Sequence, residues 1–253
     1  MKRKNLLCVC VLSMMLLGCG NQKVSTNDFV VGLDDTFAPM GFKNDEGEIV
    51  GFDVDLAREV AKRLDKDVTF QNIDWDLKES ELNNGSIDCI WNGYSVTEKR
   101  KEKVLFSNSY LDNKQIVITL KDSGIRRLDD LKGKVVSVQK NSSAYEAVSK
   151  NQDFVSGLKN KELVQFDTNN DCFMDLESKR SDAIVVDETL ARYYMKQQSS
   201  NIYQVLDEDF GKEEYAIGFR KDDQEFVNQV NDVMDDMKED GTFQIIKDRW
   251  FQE

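Results

Sequence analysis

The sequence predicts an α/β protein with mainly parallel sheets. Strand-like apolar runs alternate with amphipathic helical segments along most of the chain. The 253 residues are enough for two compact lobes. Two segments, Tyr110 to Lys114 and Glu213 to Ile217, read as extended passages between two units. The second passage is required if the C-terminal helices return to the first lobe.

The elements follow in order. Phe29 to Leu33 reads as a strand, and Asp53 to Leu64 places Val54, Leu56, Val60, Ala61 and Leu64 at helical spacing. Val68 to Phe70 is strand-like, and Leu77 to Asn84 is a short helix stopped by Gly85. Asp88 to Asn92, Gln115 to Leu120 and Gly133 to Val138 read as strands, the last followed by a helix from Ser143 to Ser149. Val164 to Phe166 precedes a helix that Thr168, Asn169 or Asn170 can cap. Ala183 to Val186 is a strand, Thr189 to Gln197 a helix, and Tyr215 to Phe219 a strand. Phe226 to Glu239 and Thr242 to Trp250 form two last helices around Gly241.

Composition excludes several classes. The net charge of −13 disfavours nucleic acid and anionic membrane surfaces as partners. There is no histidine, which removes Ser-His-Asp triads, Cys-His dyads and histidine-ligated metals. No cofactor is expected. Of five cysteines, Cys8 and Cys10 fall in the N-terminal apolar stretch, and Cys89 and Cys172 lie beside apolar residues as buried structural thiols.

The N-terminus is a targeting signal. Met1 to Asn5 is basic, Leu6 to Leu17 is apolar, and the run falls short of the ~20 residues that cross a bilayer. Leu16-Leu17-Gly18-Cys19 resembles the lipobox of bacterial lipoproteins. That resemblance implies a signal peptide over 1–18, acylation of the Cys19 thiol (a palmitate-type anchor), and a lipidated tether over 19–27. The protein is then exported and anchored by lipid at the outer face of the cell membrane.

Gly51-Phe52-Asp53-Val54-Asp55-Leu56 is a strand-to-helix start with two carboxylates at the helix N-terminus. It also resembles the signature of the family 3 extracellular solute-binding proteins, the polar amino-acid receptors of ABC importers. Further landmarks follow in order: Asp34 to Pro39, Trp75, Asn92 to Arg100, Phe106-Ser107, Asp130 to Val136, Asp182 to Asp187, and Gly241-Thr242 with Trp250-Phe251. Within that family the chain is similar to glutamine- and histidine-type binding proteins. The resemblance implies a two-lobe, hinged periplasmic-binding-protein fold, with lobe 1 over 28–110 and 216–253 and lobe 2 over 111–215.

A free amino acid brings a carboxylate, an ammonium and a side chain, each needing a partner once water leaves. Arg100 is suited to the carboxylate, since guanidinium gives two parallel charge-assisted hydrogen bonds; a solvated arginine within Lys99-Arg100-Lys101 is the alternative. Gly93 lets its carbonyl approach the ammonium, or merely ends a strand, and the Ser95 hydroxyl can bridge ammonium and carboxylate. Asp187 ends a buried strand, where α/β sheets bind ligands. The resemblance gives it the ammonium from the opposite lobe; a helix cap toward Ala191 is the other reading.

The resemblance also implies that the loop Gln139-Lys140-Asn141-Ser142-Ser143 holds the carboxylate, with Gln139, Ser142 and Ser143 in the site. Asn141 stands where the family usually has glycine, and asparagine tolerates positive φ. Phe37 and Trp75 align with an aromatic pair around the ligand side chain, though core packing would also suit them; Trp91 reads as structural. Asp34 aligns with the side-chain end of the pocket. It favours a neutral-polar or basic ligand over an acidic one, since the other mapped positions contribute no second cation, with Lys140 the one residue able to reverse that charge.

The expected function is that of a monomeric receptor, not an enzyme, that binds one amino acid between its lobes and delivers it to ABC permease subunits. Two rivals use the same fold. An extracellular dehydratase would need a positioned acid or base, which Glu or Asp could supply. A sensor module would be expected to continue past Glu253 into a transmembrane or kinase segment.

Overall fold

The structure, a computed structural model, describes residues 28–197 and 201–251. The leader, Cys19 and the tether lie outside the described residues. Phe29, Val31 and Leu33 point into the core from β1 (Asp28–Leu33), an inner strand of a five-stranded sheet. A hairpin sheet follows, made of β2 (Thr36–Phe37), β3 (Gly41–Lys43) and β4 (Ile49–Val50).

Helix α1 (Phe52–Arg63) buries Phe52, Leu56, Ala57, Val60 and Ala61, which the helical period gathers on one face. Each of the larger side chains contributes about 1.5–3 kcal/mol by leaving water. The helix is entered through Gly51 at φ 144°, where a Cβ would stand 2.2 Å from the Met40 carbonyl oxygen. Only glycine fits that turn. Next come β5 (Asp67–Asn72), α2 (Lys78–Asn83), β6 (Cys89–Ile90), α3 (Glu98–Lys101) and β7 (Leu105–Phe106).

The chain then crosses into β8 (Leu111–Leu120), β9 (Val136–Gln139), α4 (Ser143–Ser149), α5 (Gln152–Gly157), β10 (Val164–Phe166), α6 (Asn169–Glu177), β11 (Ala183–Asp187), α7 (Glu188–Gln197) and β12 (Tyr203–Tyr215). It finishes with β13 (Gly218–Phe219), α8 (Gln224–Glu239) and α9 (Thr242–Phe251).

Two five-stranded sheets result, ordered β5-β1-β6-β13-β7 and β10-β9-β11-β8-β12. Each has three parallel strands on one side, with antiparallel pairings added at the strands next to the crossings. The two crossings lie side by side, with Leu111 opposite Tyr215 and Asn113 opposite Glu213. One hydrophobic cluster runs through both sheet units, from Phe29 and Val31 to Ile116 and Ile118, and a second packs Val117, Val136, Val138 and Val185. Cys89 and Cys172 are buried free thiols, and burial pushes the Cys172 thiol up to about 12.

Several expected boundaries move. The strand expected from Gly133 begins at Val136, because Gly133 takes φ 72° in a turn. The single strand expected over Tyr215 to Phe219 is divided between the end of β12 and β13. Of three candidate caps for α6, Thr168 does the work, its hydroxyl accepting from the Asp171 N–H at 3.1 Å. Among the described residues no helix is long and apolar enough to cross a membrane.

Candidate functional site

The hexapeptide at the start of α1 positions the site from behind. Asp53 is buried, and its Oδ2 accepts from the Gly93 N–H at 2.7 Å and the Tyr110 hydroxyl at 2.9 Å. Burial lifts its carboxyl to about 7 against those hydrogen bonds. Asp55 faces the other way and accepts from Arg249 and Trp250 Nε1, each at 2.9 Å, fastening α9. Gly93 takes φ 58°, and a Cβ there would lie 2.8 Å from the Phe37 ring. The glycine lets Phe37 pack directly on the loop backbone.

Arg100 is 5% exposed, which removes the solvated alternative. The Thr97 hydroxyl caps α3, turning the Arg100 guanidinium over the Tyr94 ring at 4.4 Å, where Nη1 donates to the Ser95 carbonyl at 2.9 Å. Beside it lies Lys78, 1% exposed. Its ammonium donates to the Trp75 and Asn141 carbonyls at 2.8 and 3.3 Å, and lies 5.0 Å from the Trp75 ring centre. Desolvation, with the Arg100 charge adding to it, lowers the Lys78 ammonium to about 7. A cavity of about 90 Å³ opens among Lys78, Arg100, Asn141, Ser142 and Tyr145.

The second sheet meets these residues at its strand ends. Gln139 Nε2 donates to Asp34 Oδ2 at 2.9 Å, and Asn141 Nδ2 to Asp76 Oδ1 at 3.0 Å. Asp34 Oδ1 accepts from the Thr36 N–H and hydroxyl, and burial raises its carboxyl above the usual range. Asn141 has φ 47°, as the sequence allows for a residue in a glycine's place. Ser142 spends its hydroxyl on capping α4, accepting from the Tyr145 N–H at 3.0 Å and donating to the Gln139 carbonyl at 2.8 Å. Lys140 is turned outward onto Asp167 at 2.6 Å, so it does not reverse the charge at Asp34.

The Ser95 and Ser143 hydroxyls join across the seam at 2.9 Å, and Ser95 donates to Glu213 Oε1 at 2.8 Å. Asp187 accepts from Asn113 Nδ2 and the Tyr215 hydroxyl, both at 2.6 Å. Burial, and then the nearby Glu213 charge, hold Asp187 well above the usual carboxylate range. Trp75 is nearly buried and meets Tyr94 edge to face at 6.0 Å; Trp91 is wholly buried, as a structural residue should be. A larger groove, about 1020 Å³, lies elsewhere, lined in part by Phe42, Tyr193 and Trp250. Among the described residues no acid and thiol cluster is arranged to hold a metal.

The family model for "Bacterial extracellular solute-binding proteins, family 3" matches residues 29–253. The chain belongs to this family. It is similar to the L-cystine-binding protein TcyJ of Escherichia coli K12, at 30% identity over 92% of this chain and 86% of the relative. The histidine-binding periplasmic protein of the same strain is 31% identical over 87% and 86%. Among solved structures, a histidine-bound ABC uptake transporter substrate-binding protein from Streptococcus pneumoniae superposes with a TM-score of 0.88. It shares 41% identity, covering 90% of this chain and 94% of that one. An ancestral arginine-binding protein bound to arginine gives a TM-score of 0.82 at 37% identity, over 89% and 98% of the two chains. These relatives are solute-binding proteins and not enzymes.

Within this solute-binding fold the expected residues fall into linked groups: Asp34 with Gln139, Phe37 with Gly93, and Arg100 with Ser95 and Ser143. Asp187 reaches the last group through Asn113 and Glu213. Sequence reasoning missed Lys78, Asn113, Gln115, Glu213 and Tyr215. Lys78 also supplies the second buried cation that the mapped positions lacked. The signal for it was the lysine one turn after Trp75 on a helix face that buries Leu82.

Proposed function

We propose that this protein binds one polar amino acid between its two sheet units and delivers it to an ABC importer. The observation that carries the reading is the meeting of a buried guanidinium, two hydroxyls and a buried carboxylate at one seam. Arg100, Ser95 and Ser143 are linked by contacts of 2.9 Å, and Asp187 is joined to them through Asn113 and Glu213. A zwitterion needs those three kinds of partner.

In this reading Arg100 takes the carboxylate, with Gln139, Ser142 and Ser143 shaping that end from the other lobe. Asp187, the Gly93 carbonyl and Ser95 take the ammonium, while Phe37, Trp75 and Asp34 face the side chain. Residues 28–110 with 216–253 form one lobe and 111–215 the other. Because the partners come from both lobes, the ligand favours the closed arrangement.

The ligand is a neutral-polar or basic amino acid. Asp34 supports this, since a ligand carboxylate beside it would cost several kcal/mol in a dry cleft; Lys78 is already held by two carbonyls. The relatives named for histidine, arginine and cystine agree. Cys19 anchors the monomeric protein by lipid outside the membrane, as the lipobox-like residues support.

A thermal-shift screen of the mature protein against the protein amino acids and cystine tests the reading. A ligand at about 100 times its Kd adds about 2.7 kcal/mol to stability. Stabilisation by none of them, or by glutamate or aspartate above all neutral and basic ones, would overturn the substrate class.

A further inference from the structure

Strand β8 lies between β11 and β12, and its register sets two carboxylates close together. Asp187 stands opposite Gln115, and Glu213 opposite Asn113. Residues two apart on a strand share a face, so all four side chains rise from one side of the sheet. The contacts agree. Asn113 Nδ2 donates to Asp187 Oδ1 and to Glu213 Oε1, 2.6 Å each, and Gln115 Nε2 reaches Glu213 Oε1 at 2.7 Å.

The donors around the pair are neutral: the two amides and the hydroxyls of Tyr215, Ser95 and Ser143. Among the described residues neither carboxylate has an ion-pair partner. Arg100 is turned onto the Ser95 carbonyl, and Lys114 lies near Glu188 and Asp209 instead. On the outer side, where Glu213 is half-buried, Lys101, Lys114 and Lys212 are matched by Asp112, Glu188 and Glu214. That rim carries no surplus positive charge to hold two anions. Tyr110, beyond Tyr215, is tied to Asp53.

A buried carboxylate joined through one amide to a second carboxylate is disfavoured as an anion unless a cation lies beside it. The proposed function supplies one, the ligand's ammonium, and this inference rests on that reading. We propose that Asp187 and Glu213 act as one carboxylate pair in which Asp187 holds a proton beside Glu213 before the ligand binds and gives it up when the ammonium enters. The ammonium keeps its three protons, the pair becomes fully ionised, and the displaced proton passes to solvent. Glu213, contributed by the second crossing, is thereby a binding residue, and it sits on the strand about which the lobes would turn. Asp187, Asn113 and Glu213 belong to one sheet, so the pair persists whether the cleft is open or closed.

The test is isothermal titration of the mature protein at pH 6.5 in buffers of different ionisation enthalpy, with L-arginine and L-glutamine as probes. Neither probe titrates near that pH. The dependence of heat on buffer counts the protons exchanged. Wild type should release roughly 0.5 to 1 proton per ligand bound, and its affinity should rise up to about tenfold per pH unit between pH 5.5 and 7. Glu213→Gln keeps the shape and removes the second charge; its release should fall by at least half and its pH profile flatten. Wild-type release near zero, or equal release by both proteins, would overturn the pair, and the wild-type measurement decides this even if the variant fails to fold. If no amino acid binds the wild type at all, the ligand reading fails first and this proposal falls with it.

Discussion

Asp53 offers the sharpest test of how the site is supported. Its carboxyl is lifted from 3.8 to about 7 by burial, although it accepts two hydrogen bonds. For an acid shifted upward, the folded chain keeps its proton between the two values while the unfolded chain has lost it. The Asp53 contribution to stability is therefore fully present below pH 3.8 and is lost as pH rises through 7. At 1.36 kcal/mol per pH unit the interval amounts to about 4 kcal/mol. In a chain of this size that is roughly 10 °C in Tm. Asp53→Asn cannot titrate. Thermal unfolding of both proteins between pH 4 and 8.5 should show the wild type losing roughly 10 °C relative to the variant as pH rises. The variant's absolute stability does not enter the comparison, only the difference in slope. Parallel curves would refute the burial argument and with it the view that the hexapeptide holds the Gly93 loop from within the core.

Three further outcomes are expected. Arg100→Ala should weaken amino-acid binding by more than about thirtyfold, since losing one member of a buried charge pair costs ~2–5 kcal/mol; calorimetry showing under about threefold would move the carboxylate elsewhere. Trp75→Phe should keep binding but remove most of the ligand-dependent fluorescence change, and an unchanged signal would assign the reporter to Trp91 or Trp250. Cys19→Ser should give an unacylated precursor or a released protein, and fractionation showing wild-type membrane retention would reject the lipid anchor.

Much of this architecture was legible because its signals are local. The Phe52–Arg63 face repeats at the helical period, and Ala183–Val186 is an unbroken apolar run of the kind an inner strand requires. Strand β12 was legible only at its end. Asp207-Glu208-Asp209 and Lys212-Glu213-Glu214 fill it with charge, and two shifts in register interrupt its pairing. The two- and three-residue strands of the hairpin sheet are too short for any period to show.

The site divides along the same line. Arg100, Ser95 and Asp187 carry chemistry that residue type and order announce. Glu213 was read only as the start of an extended passage between two units, and its register against Asn113 turns it inward. Lys78 looks like an ordinary helix-surface lysine until the Asn141 carbonyl, 63 positions away, covers it. The hexapeptide was read as a helix start with two acids, which it is; that one acid is buried behind the site loop and the other pinned to α9 is a tertiary fact.

The side-by-side crossings have a consequence for how such a molecule can be rebuilt. Leu111 and Tyr215 are direct partners, so the whole stretch between them leaves and re-enters the first unit through a doorway about 5 Å wide. To the host unit, over a hundred residues are equivalent to a tight loop. The intervening segment is a cassette: its two ends could be joined to each other by a short linker, or the cassette exchanged for that of a relative, without stretching the frame that receives it. Since Gln139, Ser143 and Asp187 travel in the cassette while Asp34, Trp75 and Arg100 stay in the frame, such exchanges would recombine the two sides of the proposed site.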